Sequence, residues 1–115
     1  MGSPAQSIDL SHLDRYTGGD RTLNTEVLDL FRRQYGDLIA KLGDIVAAGD
    51  AKSWREITHT LKGAAKGVGA FAFAETARQA EDVDIGDVSA AREAIARLRT
   101  DAHAITAFIG GYLKV

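Results

Sequence analysis

The residue with the clearest chemical potential is His59, which lies in a stretch expected to form a helix over about residues 51–68. At about 100° per residue, the apolar side chains of this stretch share one arc of the helix, and His59 lies opposite the middle of that arc. We therefore expect the imidazole to face solvent. The apolar arc consists of Trp54, Ile57, Leu61, Ala64, Ala65 and Val68.

Cations and glycines share the His59 side of the predicted helix; we call this set with His59 the His59 face. Its other members are Arg55, Lys62, Gly63, Lys66 and Gly67. Each internal glycine costs a helix about 1 kcal/mol relative to alanine, so an alanine-rich chain would be expected to avoid it. Glycine beside an exposed imidazole lets a partner surface approach, and the cations favour a negative group there. A phosphoryl group carried by the imidazole fits both features.

The composition is that of one soluble globular domain, with 115 residues, 45% hydrophobic and 26% charged. The chain has no cysteine, which excludes disulfides, thiolate metal sites and a cysteine nucleophile. A formal net charge of -2 argues against a nucleic-acid binder or a polybasic membrane binder. No stretch approaches the ~20 apolar residues of a membrane span, and no signal peptide is evident. We expect a cytoplasmic protein that binds no metal.

The helices that must position His59 follow from apolar residues spaced by three and four. Alanine is abundant and the single proline is Pro4, both of which favour long helices. We predict an all-α fold: an antiparallel four-helix bundle with a short N-terminal cap helix, over residues 8–115, after a flexible leader at 1–7. The predicted elements are a first helix capped by Ser7, helices over about 22–48, 51–68 and 71–82, and a last helix with Val88 facing inward.

The segment HTLKGAAKGVGA, residues 59–70, resembles the signature of histidine-containing phosphotransfer (HPt) domains. In that signature a histidine is followed by Leu, Lys and Gly at the second, third and fourth positions, and Gly-Ala closes the helix. The resemblance covers about residues 8–110. Two departures are mild: Thr58 replaces a small apolar residue, and Lys66 replaces a small or polar one.

This resemblance implies a phosphorelay intermediate that carries a phosphoryl group between the aspartates of two receiver domains. One receiver would belong to a hybrid histidine kinase and the other to a response regulator. The resemblance implies no ATP-dependent kinase activity and no cofactor, with magnesium supplied by the receiver. We also expect a monomer that binds neither nucleic acid nor a membrane.

The resemblance also assigns roles to individual residues. His59 would accept the phosphoryl group on Nε2, Lys62 would neutralise the phosphoryl oxygens, and Glu81 on the next helix would accept a hydrogen bond from Nδ1–H. Clearance and docking would fall to the other residues of the His59 face, which are Arg55, Gly63, Lys66 and Gly67. We expect no role for His12 or His103, and no metal site that includes His59.

Two other classes of function are compatible with parts of the pattern. A helical interaction module could use the basic face to bind an acidic partner, with His59 incidental, although such docking does not require the glycines. An enzyme with His59 as general base has no support, because the sequence suggests neither a nucleophile nor an oxyanion donor. A convex helix face is also a poor place to exclude water.

Overall fold

Five α-helices account for most of residues 7–113, the part of the chain that the computed structural model describes. They are α1 (Leu10–Thr17), α2 (Arg21–Ala48), α3 (Ala51–Val68), α4 (Phe71–Glu81) and α5 (Val88–Leu113). No strand occurs in this range, so the all-α prediction is confirmed. The predicted bounds of α2, α3 and α4 agree with the structure to within one residue. Residues 1–6 of the predicted leader lie outside the described range.

Aspartate side chains cap the start of the first three helices. Asp9, Asp20 and Asp50 each accept a hydrogen bond from the backbone N–H three residues later. The prediction that Ser7 caps α1 is therefore wrong, because the helix begins later, at Leu10. The carboxylate of Asp9 caps it by accepting a hydrogen bond from the backbone N–H of His12. Ile8 precedes the helix and is fully buried in the core.

Each of the four longer helices packs against two of the others: α3 and α5 both contact α2 and α4. Near the start of α2, the Asn24 side-chain amide donates to the Tyr112 hydroxyl at 3.3 Å. This contact shows that the start of α2 lies beside the end of α5. The short helix α1 contacts α2 and α3. Helix α3, which carries His59, is therefore held by α2, α4 and α1, and its remaining face is open.

The predicted apolar residues form most of the core, and the exceptions are partly buried or exposed. In α2, spacing by three and four predicts an apolar stripe of Leu28, Phe31, Tyr35, Leu38, Leu42 and Ile45. Leu38 and Ile45 are only half-buried, whereas Ile39, which lies outside the predicted stripe, is buried. Val88 of α5 is 45% exposed, so its predicted inward position is wrong. Val88 is the first residue of α5, and inward packing starts one turn later, at the fully buried Ala91.

Gly69 joins the end of α3 to the segment before α1. Its φ of 87° ends the helix in the left-handed region, and its carbonyl accepts the backbone N–H of Asp9 at 2.9 Å. A Cβ at this position would lie 2.7 Å from the Asp9 carbonyl oxygen. Glycine therefore allows the two backbones to approach, which fixes α1 against the end of the helix that carries His59.

Within residues 7–113, no helix combines the length and the apolar character needed to cross a membrane.

Candidate functional site

His59 lies near the middle of α3 and points away from the core, as the helical pattern predicts. Its side chain is 68% exposed, whereas Trp54 and Leu61 on the opposite side of the helix are buried. The core therefore holds the helix and leaves the imidazole accessible to a partner.

Glu81, the last residue of α4, brings its carboxylate to this imidazole. Its Oε2 lies 3.1 Å from His59 Nδ1, a distance typical of a hydrogen bond. The two residues are 22 positions apart in the chain. The packing of α4 on α3 therefore places Glu81 beside the histidine, where the resemblance put it.

Lys62 binds the other oxygen of the same carboxylate. Its Nζ donates to Glu81 Oε1 at 2.9 Å, and the lysine side chain is only 20% exposed. Lys62 therefore lies against the protein and does not extend freely into solvent. His59, Glu81 and Lys62 form one connected group, which we call the triad.

The charge of Glu81 decides which nitrogen of His59 carries the proton. The hydrogen bond from Lys62, and to a lesser extent that from His59, holds the pKa of Glu81 below its usual range. The carboxylate is thus ionised at neutral pH and can only accept hydrogen bonds, so Nδ1 must be the donor. In a neutral imidazole this leaves the unshared electron pair on Nε2, the nitrogen that Glu81 does not contact. The triad can therefore present Nε2 as a nucleophile.

Gly63 and Gly67 are exposed, and a Cβ built at either would have no atom within 4 Å other than those of the adjoining residues and the local helix backbone. Packing within the chain therefore does not explain these glycines. Exposed glycines elsewhere, such as Gly43 of α2, have the same open surroundings. What distinguishes Gly63 is its position four residues after His59, where side chains on a helix are neighbours.

Arg55 and Lys66 are exposed on α3. All residues of the His59 face are therefore exposed except Lys62, which is partly buried. Arg55 also lines a shallow cleft together with Glu81 and Asp82. No group of three or more metal-binding side chains is found in the range 7–113.

The two remaining histidines lie apart from the triad. His12 is half-buried and packs edge-on against Tyr16 and Phe71, with ring centroids 5.3 and 5.0 Å away. His103 is exposed on α5, which does not contact α3.

Thr58, a departure from the resemblance, fits the core without an unsatisfied group. It is fully buried, and its hydroxyl donates to the Trp54 carbonyl at 2.8 Å within the same helix. The threonine therefore takes the place of a small apolar residue without requiring another partner.

Comparison with known proteins places this arrangement in a family. The chain is similar over its whole length to the crystal structure of histidine-containing phosphotransfer protein B (HptB) from Pseudomonas aeruginosa PAO1. The TM-score is 0.82 at 20% identity, covering 97% of this chain and 99% of the other, which shows a shared fold. The comparison with curated proteins gave no match. The Hpt domain model matches residues 26–108, which include the whole triad, and the chain therefore belongs to the Hpt domain family.

Proposed function

We propose that Nε2 of His59 receives a phosphoryl group from an aspartate of one receiver domain and passes it to an aspartate of another. The general role, that of a phosphorelay intermediate, follows from membership of the Hpt family. The observation that supports the residue assignment is the contact of Glu81 with Nδ1, which leaves Nε2 as the unprotonated nitrogen of an exposed side chain.

In the transfer step, the Nε2 electron pair attacks phosphorus in line with the bond to the aspartyl oxygen. The N–P bond forms and the P–O bond breaks, which returns the receiver aspartate to a carboxylate. No proton leaves the imidazole, so the ring becomes positively charged. Nδ1 keeps its proton, which remains hydrogen-bonded to the carboxylate of Glu81. Glu81 stabilises this charge, as an aspartate stabilises the imidazolium of a hydrolase triad. Onward transfer reverses each step.

Lys62 has two effects in this proposal. Its ammonium group offsets the charge of Glu81, which prevents a net negative charge beside an incoming phosphoryl group. Lys62 also lies three residues after His59, on the same side of α3. Its ammonium group can therefore turn from Glu81 toward the phosphoryl oxygens, because helical neighbours at this spacing are in reach of each other.

The partners we propose are the receiver domains of a hybrid histidine kinase and of a response regulator. The phosphoryl donor is then an aspartyl phosphate, and no ATP-dependent kinase activity is required of this chain. We propose that magnesium is supplied by the receiver and that this chain needs no cofactor. We further propose a cytoplasmic monomer, in which α2–α5 form an antiparallel four-helix bundle and α1 caps one end.

The direct test is incubation of the protein with a receiver domain that has been phosphorylated with labelled acetyl phosphate. We expect label to move to this chain in an acid-labile, base-stable form, which is the behaviour of a phosphoryl group on histidine. A protein that binds the charged receiver and takes no label would instead be an interaction module with a basic docking face.

Bulk at Gly63 or Gly67 should reduce transfer without loss of stability. We expect Gly63→Leu and Gly67→Leu to raise helix stability slightly, since leucine is the better helix former, and to weaken receiver binding at least tenfold by blocking its approach. Gly43→Leu is the matched control, because Gly43 is an exposed helical glycine on α2 with equally open surroundings. Unchanged receiver affinity in both α3 variants, measured by titration calorimetry, would remove the clearance role.

We propose that Arg55 acts on association, because its side chain is exposed and carries a positive charge on the helix that bears His59. We expect Arg55→Ala to lower the association rate about threefold to tenfold at low salt and to have little effect at high salt. Arg97→Ala is the control: Arg97 is exposed on α5, which does not touch α3. Stopped-flow binding at two salt concentrations measures both variants, and a salt-independent defect would contradict this role.

A further inference from the structure

We infer that the indole N–H of Trp54 is a positioning group for the triad: it holds the end of α4 so that Glu81 meets Nδ1 of His59. The inference rests on the proposed function of His59. Trp54 is 1% exposed, and its Nε1–H donates to the carbonyl oxygen of Ala80 at 2.8 Å. Ala80 directly precedes Glu81. The side chain of Trp54 thus holds the backbone one residue before the carboxylate of Glu81.

The end of α4 differs from the ends of the first three helices, because no left-handed glycine follows it. Helices α1, α2 and α3 are each followed by a glycine in the left-handed region, whereas α4 is followed by Asp82 with φ of -82° and ψ of -7°. The last carbonyls of a helix have no partner within it, and a left-handed glycine normally supplies one. Here a side chain of α3 binds the carbonyl of Ala80, in addition to the weaker 3.1 Å contact from the Val83 N–H.

Three hydrogen bonds therefore link α3 to adjacent residues of α4. Trp54 binds the backbone of Ala80, whereas His59 and Lys62 bind the side chain of Glu81. The bond from Trp54 is buried and acts on the backbone, whereas the bonds from His59 and Lys62 act on the carboxylate at its partly exposed end. The side chain of Glu81 extends from the backbone segment that Trp54 holds. The bond from Trp54 to Ala80 therefore sets the position of the Glu81 carboxylate along the axis of α3. It thereby favours the tautomer that carries its proton on Nδ1.

The test is Trp54→Phe, which keeps an aromatic ring in the core and removes the donor. We expect the fraction of His59 protonated on Nε2 to rise, seen in the ¹⁵N shifts of the ring nitrogens at neutral pH. We expect the single-turnover transfer rate at saturating receiver to fall about threefold to tenfold, the usual range for one lost hydrogen bond. Receiver affinity should not change. The tautomer measurement requires no phosphotransfer. An unchanged tautomer would therefore contradict this inference without contradicting the proposed function, and a failure of phosphotransfer would contradict the proposed function without contradicting the role of Trp54 in positioning Glu81.

Tyr35→Phe is the matched control. It removes a buried hydroxyl that contacts the Ala102 carbonyl and Thr106 of α5, a helix that does not contact α3. It should lower stability to a similar degree with no change in the His59 tautomer. In a Glu81→Gln background, Trp54→Phe should have no further effect on the tautomer or the rate. A full effect in that background, or an unchanged tautomer in Trp54→Phe alone, would overturn the inference.

Should the phenylalanine variant misfold, the single tryptophan of the chain can be replaced biosynthetically by benzothienylalanine. This analogue has nearly the shape of tryptophan and carries sulfur in place of the N–H. We expect the same shift in tautomer and the same loss of rate from it. An analogue protein with the tautomer and rate of the natural protein would overturn the inference.

Discussion

His59→Gln abolishes phosphoryl acceptance from a charged receiver and leaves the helical fold intact. The expected loss is complete because the amide nitrogen of glutamine is not nucleophilic and no other side chain of the triad can carry the group as histidine does. Stability should change by less than about 0.5 kcal/mol, since the imidazole is 68% exposed and contributes little to the core. Label transfer and thermal unfolding measure the two effects separately.

The control is His103→Gln, which removes an exposed histidine from α5 and should transfer at the normal rate. The third histidine of the chain is His12, which is half-buried and is the other possible phosphoryl acceptor. Acid-labile label that persists in His59→Gln and disappears in a His12 variant would show that the acceptor has been assigned to the wrong helix.

Lys62→Met slows the transfer step by about tenfold to a hundredfold, or ~1.4–2.7 kcal/mol in the barrier. Methionine keeps most of the buried stem of the lysine, so the variant removes the charge with little loss of packing. Two effects contribute: Glu81 becomes an unpaired negative charge beside the phosphoryl group, and the phosphoryl oxygens lose a neutralising cation. The measurement is single-turnover transfer at saturating receiver.

Receiver affinity must be measured on the same variant, because it separates chemistry from docking. Lys66→Ala is the matched control, since Lys66 is an exposed cation on the same face of α3. We expect that variant to weaken binding and to keep the saturated rate. If Lys62→Met instead changed only the affinity, Lys62 would be a docking residue and its role in the transfer step would be refuted.

The sequence by itself determined the helices and the exposed histidine. The bounds of α2, α3 and α4 and the outward position of His59 depend on periodicity and on caps within a few residues, which are local properties. Local patterns predicted the first residues of α1 and α5 less well. Ser7 and Asp9 are both good caps, and in the structure the carboxylate of Asp9 accepts the N–H of His12 while its backbone N–H donates to Gly69. Val88 fits the stripe of α5, but the helix has not yet reached its neighbours there.

Only the tertiary structure decided how the site works. The bonds from Glu81 to His59 and Lys62, and from Trp54 to Ala80, join residues 22, 19 and 26 positions apart. Such contacts depend on the angle and height at which α4 packs against α3, and helical periodicity carries no information about either. The resemblance placed Glu81 near the histidine, but the sequence assigned Trp54 only to the core. The side chain that fixes the carboxylate therefore became visible only when the two helices were seen packed together.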